Sequence, residues 1–157
     1  MANTSAPFGF RQYSGNGSAP TYEQVEVLIA YNATNIFNGD PVEPDANGLV
    51  VQGDGTTAAA GIAGIFIGCK YLSVSQKRTV WSNYWPGSDV ASTDTVEGYI
   101  VNDPNARFMA QVGGSSSVGA ATTDINANCQ FAIGTGNTSN GISGAYVDIG
   151  TSPTTTD

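Results

Sequence analysis

The sequence predicts an all-β fold: a small β-barrel or β-sandwich-like domain with an extended N-terminal arm and little or no helix. Three observations carry that prediction. Short apolar runs, alternating or continuous, recur along the chain. Turn signals built on Gly, Asn, Asp and Pro separate them. No stretch of ten or more residues has a convincing 3.6-residue period. Composition agrees, with 40% apolar and 11% charged residues against typical values of ~45–50% and ~25%. A length of 157 residues fits one domain, which can bury roughly 70% of its unfolded surface. Patterning alone leaves barrel and sandwich both open.

Residues 1–21 are the arm. They are rich in Gly, Ser, Asn and Pro, yet they hold Phe8, Phe10 and Tyr13. A purely solvated tail does not need those rings, whereas an extended segment laid on a neighbouring surface does. The β-rich domain spans 22–150. In "YEQVEVLIAY" (22–31) Val25, Val27 and Ile29 share one face and Glu26 and Leu28 the other, a period-2 strand. Turns follow at Asn38-Gly39, Asp40-Pro41, Asn47-Gly48 and Asp54-Gly55, with short strands near 41–43 and 49–52. "AGIAGIFIGCKYL" (60–72) is the most apolar run, and its glycines predict a bent central strand rather than a helix. Further strands are expected at 78–84, 95–101 and 107–112, the last after an N-D-P turn at 102–104. Residues 113–130 read as loop or as a short helical turn near 124–128. "QFAIG" and "AYVDIG" supply two last strands, and 151–157 is a low-complexity tail.

Charge and composition argue against several classes. The net charge is −8, with Arg11, Lys70, Lys77, Arg78 and Arg107 the only positive side chains. Phosphate backbones are repelled by such a surface, so nucleic acid is not an expected partner. No apolar stretch approaches the ~20 residues of a spanning helix, and the N-terminus lacks the basic and apolar regions of a signal peptide; no membrane partner is expected. Cys69 and Cys129 lie far apart without CxxC spacing. They read as reduced, buried small hydrophobes, with a disulfide between them left open, since sequence alone does not show that their Cβ atoms meet.

No catalytic residue, metal ligand or cofactor is assigned. Histidine is absent, which removes the commonest general base and metal ligand. A carboxylate pair could still hydrolyse a glycoside, but Asp40, Asp45, Asp54 and Asp103 all occupy turn sequences, and Glu26 and Glu97 are expected to face solvent. "DANG" followed by "GDG" lacks the full calcium-loop register, and "GDGTTAAAG" lacks the lysine of a phosphate loop.

What remains is "KRTVWSNYWPG" (77–87), which holds both tryptophans. Three readings compete there. Trp81 and Trp85 are four apart, so one strand would aim them to the same side, and at least one can serve the core. Exposed Trp and Tyr faces can stack on a sugar, with Asn83 and Asp89 available for hydroxyls. Trp, Tyr and Arg also dominate protein–protein hot spots. Tyr84, Trp85 and Pro86 are the expected contact group, with Trp81 shared between core and interface.

Taken together, "MANTSAPFGF", "IFNGDPV", "GIFIGCKYL", "YWPG" and "YIVNDPNARFMAQV" resemble the capsid decoration, or cement, proteins of tailed bacteriophages. The likeness covers roughly 1–112. It implies a non-enzymatic β-barrel-like protein, assembled in the bacterial cytoplasm and seated as a homotrimer on the outside of an icosahedral virion. There it would bridge and stabilise major capsid protein subunits. In that setting Phe8, Phe10, Arg11 and Tyr13 of the arm join Tyr84, Trp85 and Pro86 as expected partner contacts. The likeness also implies further strands beyond "AYVDIG", so the chain reads as a short or truncated member. The alternative is a glycan-binding head-fibre or tail module for host attachment.

Overall fold

The computed structural model describes residues 5–15, 23–55, 61–113 and 120–149. It is all-β, and its centre is a small five-stranded barrel. The strands are β1 (Arg11–Ser14), β2 (Val25–Ile29), β3 (Ile36–Phe37), β4 (Pro41–Pro44), β5 (Val50–Gln52), β6 (Gly64–Ser73), β7 (Arg78–Ser82), β8 (Tyr84–Trp85), β9 (Val96–Val101), β10 (Arg107–Met109), β11 (Val112–Gly113), β12 (Gln130–Ala132) and β13 (Tyr146–Asp148). The ring runs β4-β5-β2-β9-β6 and closes where β6 returns to β4 through Pro41↔Ile65 and Val42↔Gly64. All neighbours are antiparallel except β2 and β5, which meet in parallel at Ile29↔Val50. Closure leaves the ring without an open edge.

β6 organises the barrel. It pairs with β9 along one edge, and with β4 and then β7 along the other. Its register against β9 slips between Phe66 and Gly68, so Ile67 is an extra residue. Strict alternation would set Phe66 and Cys69, three apart, on opposite faces. The bulge resets the phase, and Phe66, Cys69 and Tyr71 all enter the core with Ile29, Val42, Val50, Val96 and Ile100. Lys70 and Leu72 consequently face outward. The bulge carbonyl is not orphaned, because Asn38 Nδ2 donates to Ile67 O at 2.6 Å. The expected bend in this central strand is therefore present, with an identified cause.

The sequence turns form where expected. Gly39 and Gly48 have φ of 95° and 76°, and Asp40 N–H donates to Phe37 O at 2.9 Å. At the N-D-P turn, Asp103 accepts from Asn105 N–H through its carboxylate and from Ala106 N–H through its carbonyl. Among the described residues one 3-10 turn, Thr122–Asp124, starts two residues ahead of the expected helical turn and meets it at Asp124. Asp124 fixes it by accepting the Ala121 N–H at 2.8 Å.

Three expectations need correction. The predicted strand 78–84 breaks at Asn83: β7 stays on β6, and β8 crosses to pair with β3 through Ile36↔Trp85 and Phe37↔Tyr84. The predicted strand 107–112 likewise splits, because β10 pairs with β1 whereas β11 pairs in parallel with β13. Finally, part of the arm belongs to the domain. Gly9 N–H donates to Ala145 O, Phe10 N–H donates to Gly39 O, and β1 forms a ribbon with β10. The boundary at residue 21 thus follows a strand of the fold. The tail 151–157 lies outside the described residues.

Candidate functional site

The two tryptophans occupy opposite environments. Trp85 is 0% exposed, and its ring meets Tyr71 edge-on, with centroids 5.1 Å apart and planes at 82°. Trp81 is 68% exposed. The same-side expectation assumed one continuous strand; the break at Asn83 sends Trp85 inward with β8 and leaves Trp81 on the outer face of β7. Trp85 therefore cannot serve as a surface contact, and Trp81 is no core residue. Tyr84 is half-buried, stacked on Phe37 with centroids 5.5 Å apart. Pro86 is half-buried as well.

Trp81 stacks on Tyr99 across the sheet, with centroids at 5.8 Å and planes 12° apart. The strand between them carries Gly68, opposite Tyr99 in the β6–β9 register. A Cβ at Gly68 would lie 2.8 Å from Ser82 O, so the backbones pack too closely for any larger side chain. Lys70 lies with its ammonium 5.4 Å from the Trp81 ring centre and ion-pairs with Glu97. That hydrogen-bonded pair raises the Lys70 pKa.

The ribbon of β1 and β10 forms a second exposed surface. Arg11 and Met109 face each other across the pair and both are exposed. The register slips between Gln12 and Ser14, which makes Tyr13 the bulged residue, and it is 66% exposed. A bulge of this kind re-aims a side chain. Arg11 places its guanidinium 5.1 Å from the Phe8 ring centre. Beside the ribbon lies an apolar groove of about 370 Å³ lined by Phe10, Phe108, Ile62, Ile65, Val101 and Pro104. Of the expected contact residues, Phe8, Phe10, Arg11 and Tyr13 thus gather here, while Tyr84, Trp85 and Pro86 lie elsewhere. Met109 and Ile62 were read only as members of predicted strands, since what exposes each of them here is strand pairing rather than anything local.

The acidic residues described in detail serve the fold. Asp45 accepts the N–H groups of Leu49 and Asn47, both at 2.8 Å, and these bonds hold its carboxyl below the ordinary value. Asp89 accepts from Ser73 Oγ at 2.5 Å and Ser75 N–H at 2.8 Å, which lowers its pKa in the same way and pins the β6–β7 hairpin. It is not free for a sugar hydroxyl. Asp40 accepts from Phe37 N–H, Gln52 Nε2 and Ser143 Oγ at 2.8, 2.7 and 2.5 Å, yet burial still raises its pKa. Burial also raises Glu43, with the Asp54 charge adding to it.

The cysteines differ from the expected buried pair. Cys69 is buried, donates to Tyr84 O at 3.4 Å, and has its thiol pushed up to about 12 by burial. Cys129 is exposed. Only the thiolate attacks a disulfide reagent. Native protein treated with such a reagent near neutral pH should therefore release about one equivalent rapidly, from Cys129, and the second only on unfolding. Rapid release of two equivalents would contradict this burial.

The chain matches no protein-family model, and no curated protein or solved structure is significantly similar to it.

Proposed function

We propose that this chain is a non-enzymatic virion structural protein that decorates the outside of an icosahedral phage capsid. It forms a homotrimer, bridges major capsid protein subunits, and docks through the β1–β10 ribbon. The observation that carries this reading is the ribbon's outer face, where Arg11, Tyr13 and Met109 are all exposed on a fold whose core is complete without them. Tyr, Met and Arg are enriched at interface centres, and Tyr and Arg among hot spots.

A cyclic trimer presents three copies of that face. Once one copy is seated, the others bind at raised effective concentration, so modest individual contacts suffice. The surplus of acidic side chains keeps an abundant protein soluble before docking. The acids that fix turns and the β6–β7 hairpin fit a scaffold role.

The test is co-sedimentation with shells assembled from the major capsid protein of the same particle. Tyr13→Ser combined with Met109→Ser should weaken occupancy about 10-fold or more, as loss of an interface anchor does. Both side chains are exposed, so the thermal midpoint should hardly move. Unchanged occupancy would remove the ribbon from the docking surface. An analytical ultracentrifugation run that finds only monomer at high concentration would remove the trimer.

A further inference from the structure

We infer that the groove beside Trp81 is a binding site for a neutral saccharide, separate from the docking ribbon and sharing no lining residue with its groove. Its volume is about 400 Å³, near the small end of the ~300–1,000 Å³ of ligand sites. That is room for one or two sugar rings. Gln24, Trp81, Ser82, Asn83 and Tyr99 line it, over a floor of Ile67, Gly68 and Cys69.

The chemistry comes from what these groups present. Trp81 is largely exposed but not loose, because the Tyr99 stack and the Lys70 ammonium hold its ring. The negative face of an aromatic ring attracts the weakly positive C–H bonds on the apolar side of a pyranose. Polar groups stand around it. Ser82 Oγ accepts the Tyr84 N–H at 3.2 Å, which leaves its hydroxyl hydrogen to donate. Asn83 is fixed by its 2.6 Å bond to Asn140 O, and Gln24 brings both donor and acceptor.

Charge selects the class of sugar. The Lys70 ammonium is engaged by Glu97, and Glu26 sits opposite Tyr99 on β2. With a net charge of −8 behind them, these acids disfavour sialylated or uronic sugars and leave neutral hexoses and N-acetylhexosamines. Of the three readings open to 77–87, core, sugar and interface, this assignment gives Trp85 the first role and Trp81 the second.

The test is a titration of the full chain with neutral oligosaccharides built on glucose, galactose and N-acetylglucosamine, followed by backbone amide chemical shifts. At least one should give saturable shifts of Gly68, Ser82 and Asn83 with a dissociation constant of roughly 1 mM or tighter. Trp81→Ala should weaken it at least 10-fold. Gln24→Ala, which leaves the aromatic pair intact, should weaken it about 3-fold. A sialylated counterpart should bind more weakly than its neutral parent. The proposal is overturned if no neutral sugar saturates these shifts, if both variants bind like the parent, or if the sialylated ligand binds better. Capsid occupancy of Trp81→Ala should stay at the parental level, so this site and the docking ribbon fail or stand separately.

Discussion

Trp85→Ala should destabilise the fold by about 3–5 kcal/mol, the range for deleting a fully buried large aromatic. The indole is sealed among Ile36, its β3 partner, and Tyr71 and Cys69 from β6. It joins β8 to the barrel, so its loss opens a cavity and loosens the crossing from β7. Trp85→Phe should cost much less. The Trp85 Nε1 hydrogen has no partner among the described residues, and a buried unmade hydrogen bond costs about 1–3 kcal/mol; phenylalanine relieves that penalty while filling most of the space. Urea unfolding of both variants checks the order. Equal losses for Ala and Phe would mean that the indole is not packed as described. Trp81→Ala makes the contrast, because losing an exposed ring with its Tyr99 stack should cost only about 0.5–1.5 kcal/mol.

Asp40→Ala should cost a comparable amount, about 3–5 kcal/mol. This carboxylate ties together three segments remote in sequence: the β3–β4 turn at Phe37, β5 at Gln52 and the returning chain at Ser143. Alanine leaves the buried Phe37 N–H and the Ser143 hydroxyl hydrogen without their acceptor, although Ser143 Oγ still accepts the Ala145 N–H. The segment 141–145 also runs beside Asn38 and Gly9, so the substitution should expose it to limited proteolysis before the barrel unfolds. Asp40→Asn keeps an acceptor and should cost less. Its pH dependence has a definite sign. Burial raises the Asp40 pKa above 3.8, against the hydrogen bonds that lower it. A group raised on folding favours the folded state below its unfolded pKa, and that contribution is lost as pH rises through the folded value. Asparagine does not titrate. The stability gap between wild type and Asp40→Asn should therefore widen as pH falls through the acid range and narrow above it. A gap that narrows toward acid would contradict the raised pKa.

The strands were legible wherever local information suffices. Val25, Val27 and Ile29 alternate against Glu26, and the Asn-Gly pairs at 38–39 and 47–48 supply turns that form as read. The glycines of 60–72 announced a bent strand, although not the single extra residue at Ile67 that puts Phe66 and Cys69 on one face. The failures share a different cause, which is dependence on distant partners. Nothing near Asn83 says that β8 will leave β7 for β3, and that departure alone decides which tryptophan is buried. The arm carries its aromatics for its own chain in part, since β1 finds β10 nearly the length of the domain away. Asp40 was readable as a turn residue through Phe37, but its bond to Ser143, 103 positions on, was not. Of the candidate site, Arg11 and Tyr13 stood out in the sequence as a charge and a ring in a small polar segment, and both are exposed. Met109 became their neighbour only through strand register.

A reconstruction of the assembled particle at sub-nanometre resolution tests the central claim most directly. The account predicts density for this barrel on the outer shell at three-fold and local three-fold axes, with the ribbon carrying Arg11, Tyr13 and Met109 turned toward the capsid surface. Density confined to tail or fibre, or a barrel on the shell with that ribbon facing solvent, would contradict it.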